Sequence, residues 1–276
     1  MPHIFVPTGR LSTKKRDFKS VVGDLRHAVL AVVRFRPSQQ VGLFDISVLG
    51  SGFFVSAEVF VTCWHVIDSP EMPHQEGDKY QLVGNLGTVP ISLPIGNIMG
   101  QDIHLFPDKD LAIIICKAKK DQAYLSVSYA DIPVGIEIGV AGYPLSRLGT
   151  DPDGNPDVRA LVYRVAKGVA TAVFRYDVDH GDGHPLLNTQ VVEVNFLFVP
   201  GNSGGPIFEA DTGRVIAYVK GMRAHKIKET TEECFPTTKV PEGLARTYLD
   251  AVHAVYSIGL TLDRVRPELE QFGVTL

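Results

Sequence analysis

The sequence predicts an all-β protein in two six-stranded halves, flanked by short helices. Three observations carry this expectation. Apart from its ends, the chain is a succession of short β-branched runs separated by Gly, Pro, Asn and Asp, the pattern of a β-barrel or β-sandwich. The runs fall into two sets with a gap between them. Finally, 45% hydrophobic and 21% charged residues in a chain of 276 match ordinary globular domains and provide for a sizeable buried core.

The first set comprises Val29–Arg36, Asp45–Val55, Val59–Thr62, Tyr80–Val83, Val89–Leu93 and Leu111–Lys117. The second comprises Glu137–Gly142, Val162–Arg175, Gln190–Asn195, Gly205–Glu209, Val215–Lys220 and Val255–Leu260. Charged and small residues replace much of the apolar content over Ala118–Pro133, which places a boundary there. The resulting division is an N-terminal arm and helix (1–27), a first half (28–120) and a second half (121–276). Helical spacing is confined to Phe18–His27, Glu242–Ala254 and Leu262–Phe272, where Leu262, Val265, Leu269 and Phe272 recur every three or four residues.

Charge and cysteine content narrow the function classes. A net charge of −4 without long single-sign blocks predicts neither a nucleic-acid nor an anionic-membrane partner. The basic run Arg10–Lys19 reads as a solvated arm. Cys63, Cys116 and Cys234 fit no disulfide or zinc spacing, so reduced thiols are expected. No signal-peptide-like run and no long apolar span occur, and together these features point to the cytoplasm.

The segment Pro200-Gly201-Asn202-Ser203-Gly204-Gly205-Pro206 lies between two strand-like runs. A serine that attacks a carbonyl needs a tight turn, so that its hydroxyl projects while neighbouring amides converge on the developing oxyanion. Gly201 and Ser203 are the residues whose N–H groups would form that oxyanion hole. Such residues are also common in plain surface turns, so the neighbours of the motif decide. The segment also satisfies G-x-S-x-G, the nucleophile elbow of α/β-hydrolases. The alternating strand–helix units of that fold are missing, however, and only His225 and His253 follow Ser203.

Upstream, Gly50–Val55 and Val59–Val66 read as paired strands ending in His65, where a rigidly held imidazole suits proton transfer from serine. Asp110 precedes the apolar run Leu111–Ile115 and can accept the other imidazole N–H. Asp108 competes for that role but lies farther into a Pro-containing loop. Cys63 and Trp64 read as core packing. The acidic stretches Asp151–Asp157 and Asp177–His184 lack the EF-hand order and read as loops. No metal or other cofactor is expected.

In the order His65, Asp110, Ser203, with Gly50-Ser51-Gly52-Phe53, Val61-Thr62-Cys63-Trp64-His65-Val66, Asp110-Leu111-Ala112 and Gly201–Pro206 around them, the chain resembles the trypsin-like serine peptidases of the chymotrypsin clan. The HtrA-like bacterial branch is the nearest, although no PDZ-length extension follows the closing helix. Ala141-Gly142-Tyr143-Pro144 and Tyr256–Leu260 resemble further family elements. The resemblance implies two six-stranded antiparallel barrels with the triad at their interface, and a protein or peptide substrate. It also implies a specificity pocket lined by Phe196, Leu197, Phe198, Ala217, Tyr218 and Val219. That lining lacks an acid, so an apolar residue before the scissile bond is expected. Asn202 stands where digestive members have the aspartate that pairs with a new N-terminus, and Val66 where secreted members have a cysteine. The competing reading is a scaffold module that keeps the fold without turnover. A cytoplasmic peptidase would also need latency, and hence a regulatory protein partner.

Overall fold

The computed structural model describes residues 9–39, 44–70, 72–86, 89–95, 102–116, 122–146, 149–150, 156–157, 161–178, 186–226 and 253–274. The two-barrel all-β class expected from the sequence is the architecture of the molecule.

The first half contains β1 (Val29–Pro37), β2 (Phe44–Phe54), β3 (Val59–Thr62), β4 (Lys79–Leu86), β5 (Val89–Ile95), β6 (Ile103–Phe106) and β7 (Leu111–Ile115). They form one antiparallel sheet in the order β5-β4-β1-β2-β3-β7-β6, so its two edge strands, β5 and β6, are consecutive in the chain. Six of the seven match the runs read from the sequence. The additional strand, β6, is four residues long and pairs with β7 from Ile103↔Ile114 to Phe106↔Leu111. In the second half, β8 (Glu137–Gly142), β11 (Arg164–Val178), β12 (Leu186–Val194), β13 (Pro206–Glu209), β14 (Val215–Lys226) and β15 (His253–Thr261) close a six-stranded barrel. A small ribbon of β9 (Gly149–Thr150) and β10 (Pro156–Asp157) stands apart from it.

Burial follows the pattern that predicted the strands. Val29 to Val33 are all buried in β1, which has sheet neighbours on both sides, and Phe53, Phe54 and Phe60 are wholly buried. Each such side chain contributes about 1.5–3 kcal/mol by leaving water. Tyr143, just past β8, donates its hydroxyl to the Val29 carbonyl at 3.4 Å and belongs to a buried cluster drawn from both halves. The halves therefore share buried surface at the place where the site forms.

The termini refine the sequence reading. Helix α1 (Phe18–Leu25) starts at Asp17, whose carboxylate accepts from the Ser20 amide at 3.0 Å, and it buries Val21 and Leu25 one turn apart. In the run Arg10–Lys19, expected as a solvated arm, the side chains of Arg10, Lys14, Lys15 and Lys19 are exposed, but the backbone is docked. The Leu11 amide donates to Tyr124 O at 3.0 Å, and the Tyr124 amide donates to Gly9 O at 3.0 Å. Helical spacing over Leu262–Phe272 resolves into a 3₁₀ turn, Leu262–Val265, followed by α3 (Arg266–Gln271). Of the predicted segment Glu242–Ala254, residues 242–252 lie outside the described residues, while His253 and Ala254 begin β15. No helix among the described residues is long and apolar enough to cross a membrane. Cys63 and Cys116 are buried free thiols, and Cys234 lies outside the described residues. Most of the two acidic stretches does as well.

Candidate active site

Strand β3 stops at Thr62. Cys63 then caps a single helical turn, α2 (Trp64–Ile67), that carries His65. The histidine thus sits just past the strand, in a helical turn, rather than at the strand end. Asp110 ends the 3₁₀ turn Pro107–Lys109 in the left-handed region, at φ 48° and ψ 42°, with its amide donating to Pro107 O at 3.0 Å. Aspartate tolerates this conformation better than most residues. The twist points its carboxylate back under His65. Asp108 is exposed, which separates the two candidate acids.

The Asp110 carboxylate is buried, with its side chain 2% exposed. Its Oδ1 accepts the His65 backbone amide at 3.1 Å, and Oδ1 and Oδ2 lie 2.9 and 3.0 Å from His65 Nδ1. Accepting from Nδ1–H leaves Nε2 as the basic nitrogen. Although burial alone would raise the carboxyl, the adjoining His65 and then the Lys220 ammonium outweigh it and hold Asp110 well below the usual carboxylate range.

Lys220 is a component that the sequence reading did not single out. Its Nζ lies 2.6 Å from Asp110 Oδ2 and 3.4 Å from His65 Nδ1, with its side chain only 9% exposed. Alternation along β14 explains the placement. Ala217 and Val219 face the core of the second barrel, whereas Tyr218 faces the other way and donates its hydroxyl to Lys109 O at 2.8 Å. Lys220 follows two residues later on the Tyr218 side, at the register irregularity between Val219 and Gly221, and such bulges re-aim a side chain. The available signal was a single cation ending an otherwise apolar run.

Removing the lysine should be measurable. Because Asp110 is depressed in the folded state, its contribution to stability is fully present above the ordinary aspartate range. That contribution is lost as pH falls through the folded value. Lys220→Met is therefore expected to lose about 3 kcal/mol at neutral pH, and its deficit against wild type should close in acid. Denaturant unfolding followed from pH 7 down to well below the ordinary aspartate range, through the folded value, checks this, and a deficit that stays constant over that whole window would refute the ion pair.

The Ser203 turn is bound to the same frame. Ser51 N–H donates to Ser203 O at 2.8 Å, and Ser51 Oγ donates to Gly201 O at 2.6 Å while accepting the Tyr143 amide at 2.8 Å. The Val219 carbonyl accepts both the Gly204 amide at 2.9 Å and the Cys63 thiol at 3.2 Å. The Ser203 turn and the residue two before His65 thus share one acceptor. Gly201 adopts φ +95°, and a Cβ there would lie 2.7 Å from Tyr143 O, so the turn requires glycine. Among the described residues, the Gly201 and Ser203 amides make no hydrogen bond. Two donors next to the Ser203 hydroxyl are therefore free for an oxyanion. No hydrogen bond joins Ser203 Oγ to His65 among the described residues, and such contacts commonly tighten only around substrate.

Of the expected pocket residues, Phe196, Phe198, Ala217 and Val219 pack in one cluster, with the Phe196 and Phe198 rings edge-on at 5.7 Å. Leu197 is 63% exposed. Tyr218 is not brought together with them, because the alternation of β14 turns it toward Lys109.

Cys63, His65 and Asp110 hold ligand-type atoms within 4.8 Å of one another. Burial, reinforced by Asp110, pushes the Cys63 thiol well up, and Lys220 already places a cation in the cluster. That electrostatic setting disfavours a divalent ion and suits an arrangement for moving a proton.

No curated protein sequence matches the chain. Among solved structures, the active form of the Rv3671c protease from M. tuberculosis superposes with a TM-score of 0.58 at 16% identity, covering 100% of this chain and 95% of that one. The Ser343Ala inactive form gives 0.54 at 18% identity, covering 92% and 91%. The HtrA-type protease AlgW with a decapeptide gives 0.55 at 16% identity, covering 93% of this chain and 67% of that one. These likenesses concern the fold. A model of the trypsin-like peptidase domain matches residues 50–217, more than half of the chain and a span that takes in His65, Asp110 and the Ser203 turn, and the chain therefore belongs to the trypsin-like peptidase domain family.

Proposed function

We propose that the protein is a serine endopeptidase. The observation that carries this reading is the buried contact of His65 Nδ1 with Asp110 at 2.9 Å, framed with a serine turn whose Gly201 and Ser203 amides are unengaged among the described residues. In this mechanism the Ser203 hydroxyl adds to the scissile carbonyl and its proton passes to His65 Nε2. The two amides hold the oxyanion, and Asp110 stabilises the imidazolium. Collapse breaks the C–N bond as His65 protonates the leaving amine. Water, deprotonated by His65, then cleaves the acyl-enzyme.

Phe196, Leu197, Phe198, Ala217 and Val219, without Tyr218, are the proposed surroundings of the substrate side chain, and their apolar character supports a preference for an apolar residue. Buried reduced thiols at Cys63 and Cys116 support placement in a reducing compartment such as the cytoplasm. Latency relieved by a protein partner belongs to the same reading. It draws support from the ammonium that shares Asp110, since that cation opposes the imidazolium that catalysis requires.

A fluorophosphonate probe tests the proposal. The purified chain should be labelled, peptide mapping should place the adduct on Ser203, and Ser203→Ala should not react. Labelling that persists in Ser203→Ala would overturn the assignment. Absence of labelling even at high probe concentration would favour a scaffold.

A further inference from the structure

None of the residues around a second concavity belongs to the site described above. The docked arm, the segment linking the halves, the β13–β14 turn and α3 enclose a cleft of about 470 Å³ lined by Arg10, Thr13, Ser128, Tyr129, Arg214 and Arg266. Three guanidinium groups border it. Arg266 is paired with Glu270, Nε to Oε1 at 2.7 Å, and its guanidinium stands 5.2 Å from the Tyr129 ring centre. Arg10 Nε donates to Ser126 Oγ at 2.8 Å, a neutral partner. The Arg214 side chain makes no hydrogen bond or ion pair among the described residues.

Three cations and one carboxylate leave a local charge of +2 (3 − 1) at the rim of one concavity. Like charges gathered this way repel unless an anion sits between them. Tyr129 lines the cleft through its ring, over which Arg266 stands, while its hydroxyl is enclosed in the protein.

We propose that this cleft binds the dianionic phosphate group of a small molecule, with the forked guanidinium groups of Arg10 and Arg214 as its donors. The charge matches a phosphate monoester, the planar forks of arginine match its oxygens, and the volume admits a phosphate with a short organic remainder. Binding has a structural consequence. Arg10 and Thr13 belong to the arm, which is held to the Tyr124 segment by the bridge at Arg10, while Arg214 belongs to the β13–β14 turn. A phosphate bonded to both sides fastens the arm across the seam between the halves, so the ligand and the docked arm stabilise each other.

The test is calorimetric titration of the full chain with inorganic phosphate and, separately, with glycerol 3-phosphate, at ionic strength held constant with sodium chloride. Saturable binding of both is expected with Kd below about 1 mM, weakened at least tenfold in Arg10→Gln/Arg214→Gln. Arg214→Gln alone, at a half-buried position of the β13–β14 turn, keeps the contribution of Arg10 to folding and should show an intermediate loss. Amide hydrogen exchange over residues 9–13 should slow when glycerol 3-phosphate is added to wild type and not when it is added to the double variant. A response that chloride reproduces at equal ionic strength, or equal affinity in wild type and double variant, would overturn the proposal. If inorganic phosphate binds and glycerol 3-phosphate does not, a free anion replaces the monoester as the ligand and the proposal fails in that form.

Discussion

His65→Ala is expected to reduce the rate of Ser203 acylation by about 10⁶, and Asp110→Asn by about 10⁴. The difference follows from geometry. Without the imidazole nothing accepts the Ser203 proton. In Asp110→Asn the imidazole remains but is held wrongly, because the native carboxylate serves two sides at once. Oδ1 receives the His65 backbone amide at 3.1 Å and Nδ1 at 2.9 Å, while Oδ2 faces the Lys220 ammonium at 2.6 Å. An amide has only one acceptor oxygen. Turned toward His65, that oxygen leaves its NH₂ facing an ammonium, donor against donor. Turned toward Lys220, it presents NH₂ to Nδ1, which forces the proton onto Nε2 and removes the base. The second arrangement is favoured, because a buried ammonium left without an acceptor is the costlier error. Acylation rates with a fluorophosphonate, measured alongside circular dichroism to confirm folding, give both numbers. In peptide hydrolysis, His65→Ala/Ser203→Ala should be no slower than either single change, since the two act as a unit. A loss below tenfold in Asp110→Asn would remove Asp110 from the role.

These expectations rest on residues that were legible in the sequence to different degrees. His65, Asp110 and Ser203 could be read because each stands beside a strand with a recognisable pattern, and their order in the chain singled out one fold. The strand runs were legible for the same reason, since burial on β1 and β7 leaves nearly continuous apolar stretches. Strand β6 was not legible, because Ile103-His104-Leu105-Phe106 is too short to show a period and is ordered by pairing with β7. Periodicity found the C-terminal helical segment but could not divide it. A spacing of three to four fits both a 3₁₀ turn and an α-helix, and Pro267, lacking an N–H, lies at the start of α3. Lys220 was hidden for a different reason. Alternation and a lone cation ending an apolar run marked its side of β14, but the register irregularity that aims it at Asp110 is a tertiary feature. The arm was misread because its basic residues dominate the composition, although Leu11 is buried and Arg16 pairs with Asp24 at 2.5 Å.

Gly204→Ala is expected to cost about 4 kcal/mol of stability, the sum of left-handed strain and overpacking, and to uncouple the nucleophile from its base. Gly204 has φ +80°. A Cβ there would lie 2.2 Å from Thr62 Oγ1, 2.3 Å from Ser51 O and 3.0 Å from the Cys63 amide nitrogen. None of these can yield freely, because Thr62 Oγ1 donates to Ser51 O at 2.7 Å and Ser51 N–H donates to Ser203 O. The methyl group would wedge itself between the turn that carries Ser203 and the strand that leads to His65. Gly135→Ala is the control. Its φ is +85°, but a Cβ there meets nothing within 4 Å, so strain alone remains, about 1 kcal/mol. Denaturant unfolding should separate the two variants by about 3 kcal/mol, which is the crowding contribution. In the fraction of Gly204→Ala that folds, fluorophosphonate labelling should fall at least tenfold, whereas Gly135→Ala should label like wild type. Equal stabilities, or unimpaired labelling in Gly204→Ala, would mean that the contact between the two halves at this glycine does not hold Ser203 against His65.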